Sequence, residues 1–226
     1  MNNETPLQYQ RLSNHICLTE EDKLIAYNIR YQAYTSVGYI EQNDQELFSD
    51  FFDGKPNNIT FLLKENDEPV ATIRASILHR QHCWVDIPCK AGFEPEFAEL
   101  EKQYDTIIEM GRLAVIPEKR GVEALAPLAL FSCAYFALEK LGKTALVCAA
   151  GKKHKRFYER LGMTSQCGFA PRPNAAIDLT LMAKTCCLDT FIEKNHLDEA
   201  TVRRLIPTLD EELLNQLLPM SQQQIA

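Results

Sequence analysis

The segment from Thr106 to Ala149 constrains the fold most, because its apolar pattern changes from extended to helical and back. Thr106 to Val115 and Thr144 to Ala149 have the composition of strands. Between them, Pro127 to Leu141 is almost wholly apolar, with proline in its first turn and a glycine after its last, which predicts a buried helix. A strand, a buried helix and a second strand indicate a layered domain in which helices cover a sheet.

Patterns on both sides of this segment add further elements. Thr19 predicts the N-cap of a helix that ends near Tyr34. Ile59–Leu63 and Val70–Leu78 predict a hairpin in which Arg74 points out of the more polar face. The other predictions are a short helix or ordered loop at Asp44–Asp53, a polar insertion up to Tyr104, a basic helix at Lys152–Leu161 and a strand at Ile177–Met182. This order predicts an α+β fold with a central, mostly antiparallel sheet flanked by helices.

The character of the chain changes after Lys184. Three short amphipathic helices are predicted at Leu188–Asn195, Asp198–Leu205 and Asp210–Leu218. We therefore expect one main domain over residues 1–184 and a C-terminal helical appendage over 185–226.

Composition excludes several classes of function. The chain has 24 Lys and Arg against 31 Asp and Glu, a net charge of −7, which repels nucleic acid. The N-terminus lacks the pattern of a signal peptide, and the most apolar segment is too short to span a membrane. We expect a soluble cytoplasmic protein, although a lipid product would allow peripheral membrane association.

The eight cysteines include no CxxC pair, and several lie in apolar runs, so most are expected to be reduced core thiols. A zinc site from His79, His82, Cys83 and Cys89 is an alternative, but their spacing matches no usual structural site. We expect no metal.

Two motifs resemble the GNAT family of N-acyltransferases. They are GRLAVIPEKRG, which begins at Gly111, and FYERLGM, which begins at Phe157. The resemblance implies that the strand carrying Leu113 and Val115 bends at a bulge and splays from its neighbour. Their N–H groups would then face the acyl thioester, and the loop at Arg120 and Gly121 would hold the donor's phosphate.

The loop departs from the acetyl-CoA pattern of that family, which resembles Arg-Gly-x-Gly-x-Gly. Here Arg120 and Gly121 are followed by Val-Glu-Ala-Leu. Glu123 would repel a pyrophosphate, and without two of the glycines the backbone cannot approach it as closely. An acyl carrier protein (ACP) with a phosphopantetheine arm suits this loop better.

Six charged residues resemble in type, order and spacing those of the autoinducer (acyl-homoserine-lactone) synthases and of the similar long-chain N-acyl amino acid synthases. They are Arg30, Asp50, Asp53, Arg74, Glu109 and Arg112. Such a set can grip a zwitterionic amino acid, or it can form a structural ion network. We expect Arg30, Asp50, Asp53, Arg74 and Arg112 to bind or orient the substrate or to support the site.

Glu109 is the candidate base that takes a proton from the attacking amine. Because Glu109 and Arg112 face opposite sides of a regular strand, a shared role requires one extra residue near Gly111. Tyr158 is the candidate that protonates the leaving thiolate, with a core aromatic as the alternative. His154 is interpreted as a surface histidine rather than a proton donor.

The predicted basic helix indicates the charge of the partner that the chain could bind. Lys152, Lys153 and Arg156 belong to a stretch with a net charge of +4, which would attract an acidic carrier protein. A solvated helix face is the alternative.

These observations predict a GNAT-like enzyme that moves a fatty acyl group from acyl-ACP to the amino group of an amino acid or related small amine. It needs no tightly bound cofactor, only acyl-phosphopantetheine or acyl-CoA as co-substrate. The alternatives are an acetyl-CoA-dependent N-acetyltransferase and a non-catalytic protein that binds acyl carriers.

Overall fold

The computed structural model describes residues 11–80, 86–119, 143–173, 175, 177–185 and 198–207. The strands in this part of the chain are Leu12–Ile16 (β1), Asn58–Glu65 (β2), Glu68–His79 (β3), Thr106–Val115 (β4), Thr144–Gly151 (β5), Thr164–Ser165 (β6) and Leu179–Thr185 (β7). The α-helices are Glu20–Thr35 (α1), Glu94–Gln103 (α2), Lys155–Arg160 (α3) and Glu199–Leu205 (α4). Short 3-10 helices lie at Phe51–Gly54, Lys90–Gly92 and Pro117–Lys119.

The strands form one sheet in the order β1-β2-β3-β4-β5-β7-β6. Neighbouring strands are antiparallel except β4 and β5, which are parallel. This mixed sheet, antiparallel for the most part, confirms the predicted α+β fold.

The first helix and the hairpin form as predicted. The Thr19 hydroxyl accepts a hydrogen bond from the Asp22 N–H at 3.1 Å and completes a capping box at the start of α1. The hairpin turns at Asn66 and Asp67, which both adopt positive φ. The turn pairs β3 with β2 on one side, and β4 pairs with β3 on the other.

A bulge in β4 lies where the sequence predicts it. Thr72 pairs with Ala114 but Arg74 pairs with Gly111, so β4 contains one more residue than β3 over this stretch. Arg112, within the bulge, has a φ of 56°. The predicted bulge between Gly111 and Val115 is therefore confirmed.

The splay between β4 and β5 is also confirmed. Their pairing extends from Thr106 opposite Thr144 to Glu109 opposite Val147. Beyond this point the two strands do not pair, and the bulged end of β4 has a free edge on that side.

Two helices cover different parts of one sheet face. α1 packs on β2, β3 and β4 and buries Ala26 and Ile29 against Leu62 and Ala114. α2 packs beside β4 and buries Phe97 in a second apolar cluster. The candidate functional site, described below, lies between these two clusters.

The predicted elements need four corrections. The strand β1 was not predicted. The segment interpreted as a polar insertion contains the helix α2, whose Phe97 and Leu100 are buried. The basic helix begins at Lys155 rather than Lys152, and the last strand covers Leu179–Thr185.

The predicted orientation of Arg74 also needs correction. Its side chain lies on the more polar face of the hairpin, but it is 1% exposed because α1 and the Phe51–Gly54 turn cover that face.

Several predictions fall outside the described residues. They concern the helices Pro127–Leu141, Leu188–Asn195 and Asp210–Leu218, and the loop residues Arg120, Gly121 and Glu123. α4 contacts β1 and buries Leu205. The division of the chain at Lys184 stays a prediction.

Candidate functional site

Two cavities meet at the β4 bulge. The first, called the polar cavity, has a volume of about 420 Å³, and its charged lining residues are Asp50, Arg74, Glu109, Arg112 and Arg172. The second, called the apolar cavity, has a volume of about 720 Å³, and its lining includes Tyr34, Phe48, Leu113, Phe157 and Tyr158. The two cavities share the walls formed by Met110, Gly111, Arg112, Ala149 and Leu179. Both volumes are in the range of small-molecule sites.

The spacing of Asp50 and Asp53 is explained by a capping box. The Asp50 carboxylate accepts a hydrogen bond from the Phe52 N–H at 2.8 Å, and the Asp53 carboxylate accepts one from the Asp50 N–H at 2.8 Å. These bonds fix the start of the 3-10 helix Phe51–Gly54. Both carboxylates are thereby held in one orientation beside the sheet.

The carboxylates bind three guanidinium groups. Asp53 accepts from Arg30 at 2.8 Å and from Arg74 at 3.0 Å, and Asp50 accepts from Arg74 at 2.7 Å. Arg112 donates through Nε to the other Asp50 oxygen at 2.7 Å. Five of the six charged residues predicted to act together therefore form one ion network.

Within the network, the lining of the polar cavity separates supporting groups from groups that a ligand can reach. Arg30 is 0% exposed, lies behind Asp53 and lines neither cavity. Asp50, Arg74 and Arg112 line the polar cavity. Arg30 and Asp53 thus hold the site together, whereas the other three border it.

Burial alone would raise the pKa of Asp50, but the hydrogen bond from Arg74 and the charges of Arg112 and Arg74 lower it to about 2. Asp50 is therefore ionised throughout the physiological range. Its negative charge offsets the desolvation of the arginines.

Glu109 lies in the wall of the polar cavity, on the same face of the sheet as Arg74. Glu109 as a residue is 7% exposed, and its carboxylate accepts a hydrogen bond from the Cys89 N–H at 2.7 Å. Burial raises the pKa of Glu109, although the Cys89 hydrogen bonds and the charges of Arg74 and Arg112 act in the opposite direction. A raised pKa is what a base that operates near neutral pH requires.

The bulge brings Glu109 and Arg112 to one cavity, as the sequence predicts. Without the extra residue, the two side chains would lie on opposite faces of β4.

The bulged end of β4 also presents backbone amides to the splay. The Ile116 N–H donates to the Val70 carbonyl of β3 at 3.0 Å. Because alternate residues of a strand bond to opposite sides, the Val115 N–H points away from β3. Leu113 and Val115 both line the apolar cavity.

Two tyrosines line the apolar cavity, Tyr34 and Tyr158. Burial raises the pKa of Tyr158, and the neighbouring Cys148 thiol acts in the same direction. The Tyr34 hydroxyl donates to the Leu113 carbonyl at 3.4 Å, next to the bulge. Burial also raises the pKa of Tyr34, against the charge of Arg112.

The predicted donor-binding residues Lys152, Lys153 and Arg156 are exposed. They lie in the turn before α3 and in its first turn, beside Phe157, which lines the apolar cavity. His154 is exposed at the same cavity, so its interpretation as a surface residue is compatible with the structure.

The residues of the polar cavity that the prediction of the site missed include Cys89, Phe93 and Arg172. Cys89 holds Glu109, while Phe93 and Arg172 stack with 4.2 Å between the guanidinium carbon and the ring centroid. Cys89 and Phe93 lie in the segment interpreted as a polar insertion, and the sequence gives no local signal for them.

In the described residues, no group of three or more His, Cys, Asp or Glu could hold a metal ion. Four cysteines lie there, all free, and Cys17, Cys89 and Cys148 are buried. His82 and Cys83 of the alternative zinc set lie outside that part. No helix among the described ones has the length and apolar character needed to cross a membrane.

Solved structures share the fold at low sequence identity. The structure of FeeM, an N-acyl amino acid synthase from uncultured soil microbes, is 19% identical with a TM-score of 0.63, and the match covers 84% of this chain and 97% of that chain. For the AHL synthase LasI the identity is 15%, the TM-score 0.57 and the coverage 88% and 98%. BjaI, a CoA-dependent acyl-homoserine lactone synthase whose structure contains SAM and isopentyl-CoA, is 12% identical with a TM-score of 0.60. That match covers 91% of this chain and 98% of the BjaI chain.

No curated protein is significantly similar in sequence. The family model "N-acyl amino acid synthase FeeM" matches residues 25–185, which contain the ion network, the bulge and both cavities. The chain belongs to this family of N-acyl amino acid synthases and is an acyltransferase with a GNAT-like fold.

Proposed function

We propose that the enzyme transfers a fatty acyl group from the thioester of an acyl carrier protein to the amino group of an amino acid or related small amine. One observation carries this proposal: a charged cavity and an apolar cavity meet at a strand bulge. An amine in the polar cavity and an acyl chain in the apolar cavity would meet at Gly111 and Arg112, which line both.

The first step is loss of a proton from the acceptor's ammonium group to the Glu109 carboxylate. Glu109 is suited to this role because it lines the cavity and because burial raises its pKa. The free amine then attacks the thioester carbon, and a C–N bond forms. Leu113 and Val115 would donate backbone N–H groups to the oxyanion.

Collapse of the tetrahedral intermediate breaks the C–S bond. The leaving thiolate takes a proton from the Tyr158 hydroxyl, which lines the apolar cavity. The nitrogen releases its second proton, which restores the Tyr158 hydroxyl. The products are the amide and a free thiol, and the proton on Glu109 returns to solvent.

The donor assignment depends on two features. The loop from Arg120 has a glutamate where the acetyl-CoA pattern has glycine, which disfavours a pyrophosphate. The exposed residues Lys152, Lys153 and Arg156 are next in sequence to Gly151 and Phe157, which line the apolar cavity, and would attract an acidic carrier protein. The rival donor is acyl-CoA, since BjaI, which shares the fold, is a CoA-dependent synthase.

The test compares the two donors directly. Purified enzyme receives the same acyl chain on ACP or on CoA at equal concentration, with a mixture of amino acids and small amines, and mass spectrometry identifies the amide. We expect a higher rate with acyl-ACP. Faster transfer from acyl-CoA contradicts the donor assignment, and the absence of any N-acylated product contradicts the proposed reaction.

A further inference from the structure

Arg172 has a fixed position in the wall of the polar cavity. It lies in the loop between β6 and β7, and its guanidinium stacks on the Phe93 ring. Its Nη1 donates to the Gly92 carbonyl at 2.8 Å. The stacking and the hydrogen bond both fix the plane of the guanidinium.

Arg172 differs from the other arginines of the site in its partners. Arg30, Arg74 and Arg112 each bind an aspartate of the ion network. In the described part of the chain, no carboxylate lies within 4 Å of the Arg172 guanidinium. Its partners are the neutral Gly92 carbonyl and the Cys167 sulfur, at 3.5 Å from Nη2, and its buried Nε has no hydrogen-bond partner there.

A partly buried cation with only neutral partners is unfavourable until an anion joins it. The charged residues that line the polar cavity are Arg74, Arg112 and Arg172 against Asp50 and Glu109. With Glu109 ionised, the positive charges exceed the negative ones by one. Arg74 and Arg112 both pair with Asp50, so Arg172 is the guanidinium of this lining that a ligand's carboxylate can pair with, while the ligand's ammonium can pair with Glu109.

We infer that Arg172 binds the carboxylate of the acceptor and so selects an amino acid over an amine without a carboxylate. This inference rests on the proposed function. The ammonium group of the amino acid would face Glu109 and the bulge, while its carboxylate would face Arg172, which lines the same cavity. The residue that selects the acceptor is thus not one of the six charged residues predicted from the sequence. It lies in the loop between β6 and β7.

The experiment combines two acceptors with variants of Arg172. An acyl-pantetheine thioester is the donor, and L-leucine and L-leucinamide, which lacks the carboxylate, are the acceptors. In Arg172→Gln we expect kcat/KM for leucine to fall by about 10-fold to 100-fold, mostly through KM, because a charge-assisted hydrogen bond is lost. The value for leucinamide should stay within about 2-fold, since its recognition does not use the lost charge.

Arg172→Lys keeps the charge and the stacking, so it should retain part of the preference for leucine. Arg11→Gln, an exposed arginine beside β1, is the control and should alter neither acceptor. Equal losses for leucine and leucinamide in both Arg172 variants would show a structural role and overturn the inference.

Product binding separates this inference from the proposed function. Calorimetry measures the affinity of wild type and Arg172→Gln for N-decanoyl-leucine and for its carboxamide. Wild type should bind the carboxylate form more tightly, and the variant should bind both alike. If discrimination is found without turnover, the proposed reaction fails and the role of Arg172 stands; turnover without discrimination overturns the role of Arg172 alone.

Discussion

The carboxylate of Glu109 and the backbone N–H of Cys89 form a 2.7 Å hydrogen bond between residues twenty positions apart in the chain. This bond uses one carboxylate oxygen, Oε2, and leaves Oε1 near Gly111 in the cavity wall. A backbone donor cannot change its charge or move as a side chain does. Glu109 is therefore held in one orientation while burial keeps its affinity for a proton high.

Glu109→Gln should lower kcat by about 10²-fold to 10⁴-fold, because the amide cannot accept a proton from the acceptor's ammonium group. The glutamine oxygen can still accept the Cys89 hydrogen bond, so the fold should be kept. Steady-state kinetics with an acyl-ACP donor test this, with the exposed Glu118→Gln as the control. Unchanged turnover in the Glu109 variant would assign this residue to structure.

The same variant should not lose stability at neutral pH. Burial raises the pKa of Glu109 in the folded state, so the folded state binds its proton more tightly than the unfolded state does. The contribution of Glu109 is therefore most favourable below its unfolded pKa and is lost as pH rises through the raised folded pKa. Urea unfolding should show that Glu109→Gln is as stable as wild type or more stable at pH 7, and a large loss there would contradict this.

Asp50→Asn should destabilise the protein at neutral pH by about 2 kcal/mol, which corresponds to the lowering of the Asp50 pKa to about 2. This contribution is present above the unfolded pKa of 3.8 and is lost as pH falls towards 2. Urea unfolding from pH 2 to 7 tests it, with the exposed Asp44→Asn as the control. A difference between wild type and Asp50→Asn that is independent of pH would contradict the ion-network argument.

The backbone of the bulge permits a test in which the side-chain contribution cancels. Arg112 has a φ of 56°, which is unfavourable for a residue with a Cβ atom. Arg112→Ala and Arg112→Gly both remove the ion pair with Asp50, but only glycine relieves the backbone. We expect Arg112→Gly to be more stable than Arg112→Ala by about 1 kcal/mol in urea unfolding; the reverse order would mean that the bulge is absent in solution.

The bulge could be predicted because the motif that begins at Gly111 resembles that of the GNAT family, which implies a bulge there. The spacing of Glu109 and Arg112 agrees with it, since residues three positions apart cannot share a side of a regular strand. The capping box of Asp50 and Asp53 was not predicted, although it too is a local pattern. These parts of the site depend on residues that are close in sequence.

The remaining parts depend on contacts between distant segments. Arg172 donates to the carbonyl of Gly92, eighty positions away, and neither residue has a local pattern that indicates the contact. The N–H of Cys89 belongs to the backbone and has no sequence signal at all. Helix α2 was missed because its surface positions are polar and only Phe97 and Leu100 are buried.

Tyr158→Phe should slow transfer in a way that depends on the leaving thiol. With an alkyl thioester such as acyl-pantetheine the rate should fall by roughly 10²-fold, because the thiolate needs a proton. With an aryl thioester, whose thiolate is stable without a proton, the variant should approach the wild-type rate. Single-turnover kinetics with both donors test this.

Tyr34→Phe is the matched control for this prediction, since Tyr34 also lines the apolar cavity and its hydroxyl donates to the Leu113 carbonyl. Loss of the Tyr34 hydroxyl should slow transfer from both donors equally. If Tyr158→Phe also slows transfer from both donors equally, Tyr158 is a packing residue, in agreement with its burial beside Cys148.

The basic residues beside α3 provide the test of the carrier protein. Reversal of Lys152, Lys153 and Arg156 to Glu should raise KM for acyl-ACP and flatten its salt dependence, because attraction of an acidic partner depends on exposed charge. The reaction with free acyl-pantetheine, which has no protein to dock, should change much less. A triple reversal of basic residues elsewhere, at positions 11, 23 and 102, has the same net charge and should affect neither donor. Efficient use of acetyl-CoA, together with an unchanged KM for acyl-ACP in the first triple variant, would instead identify the enzyme as an ordinary acetyltransferase.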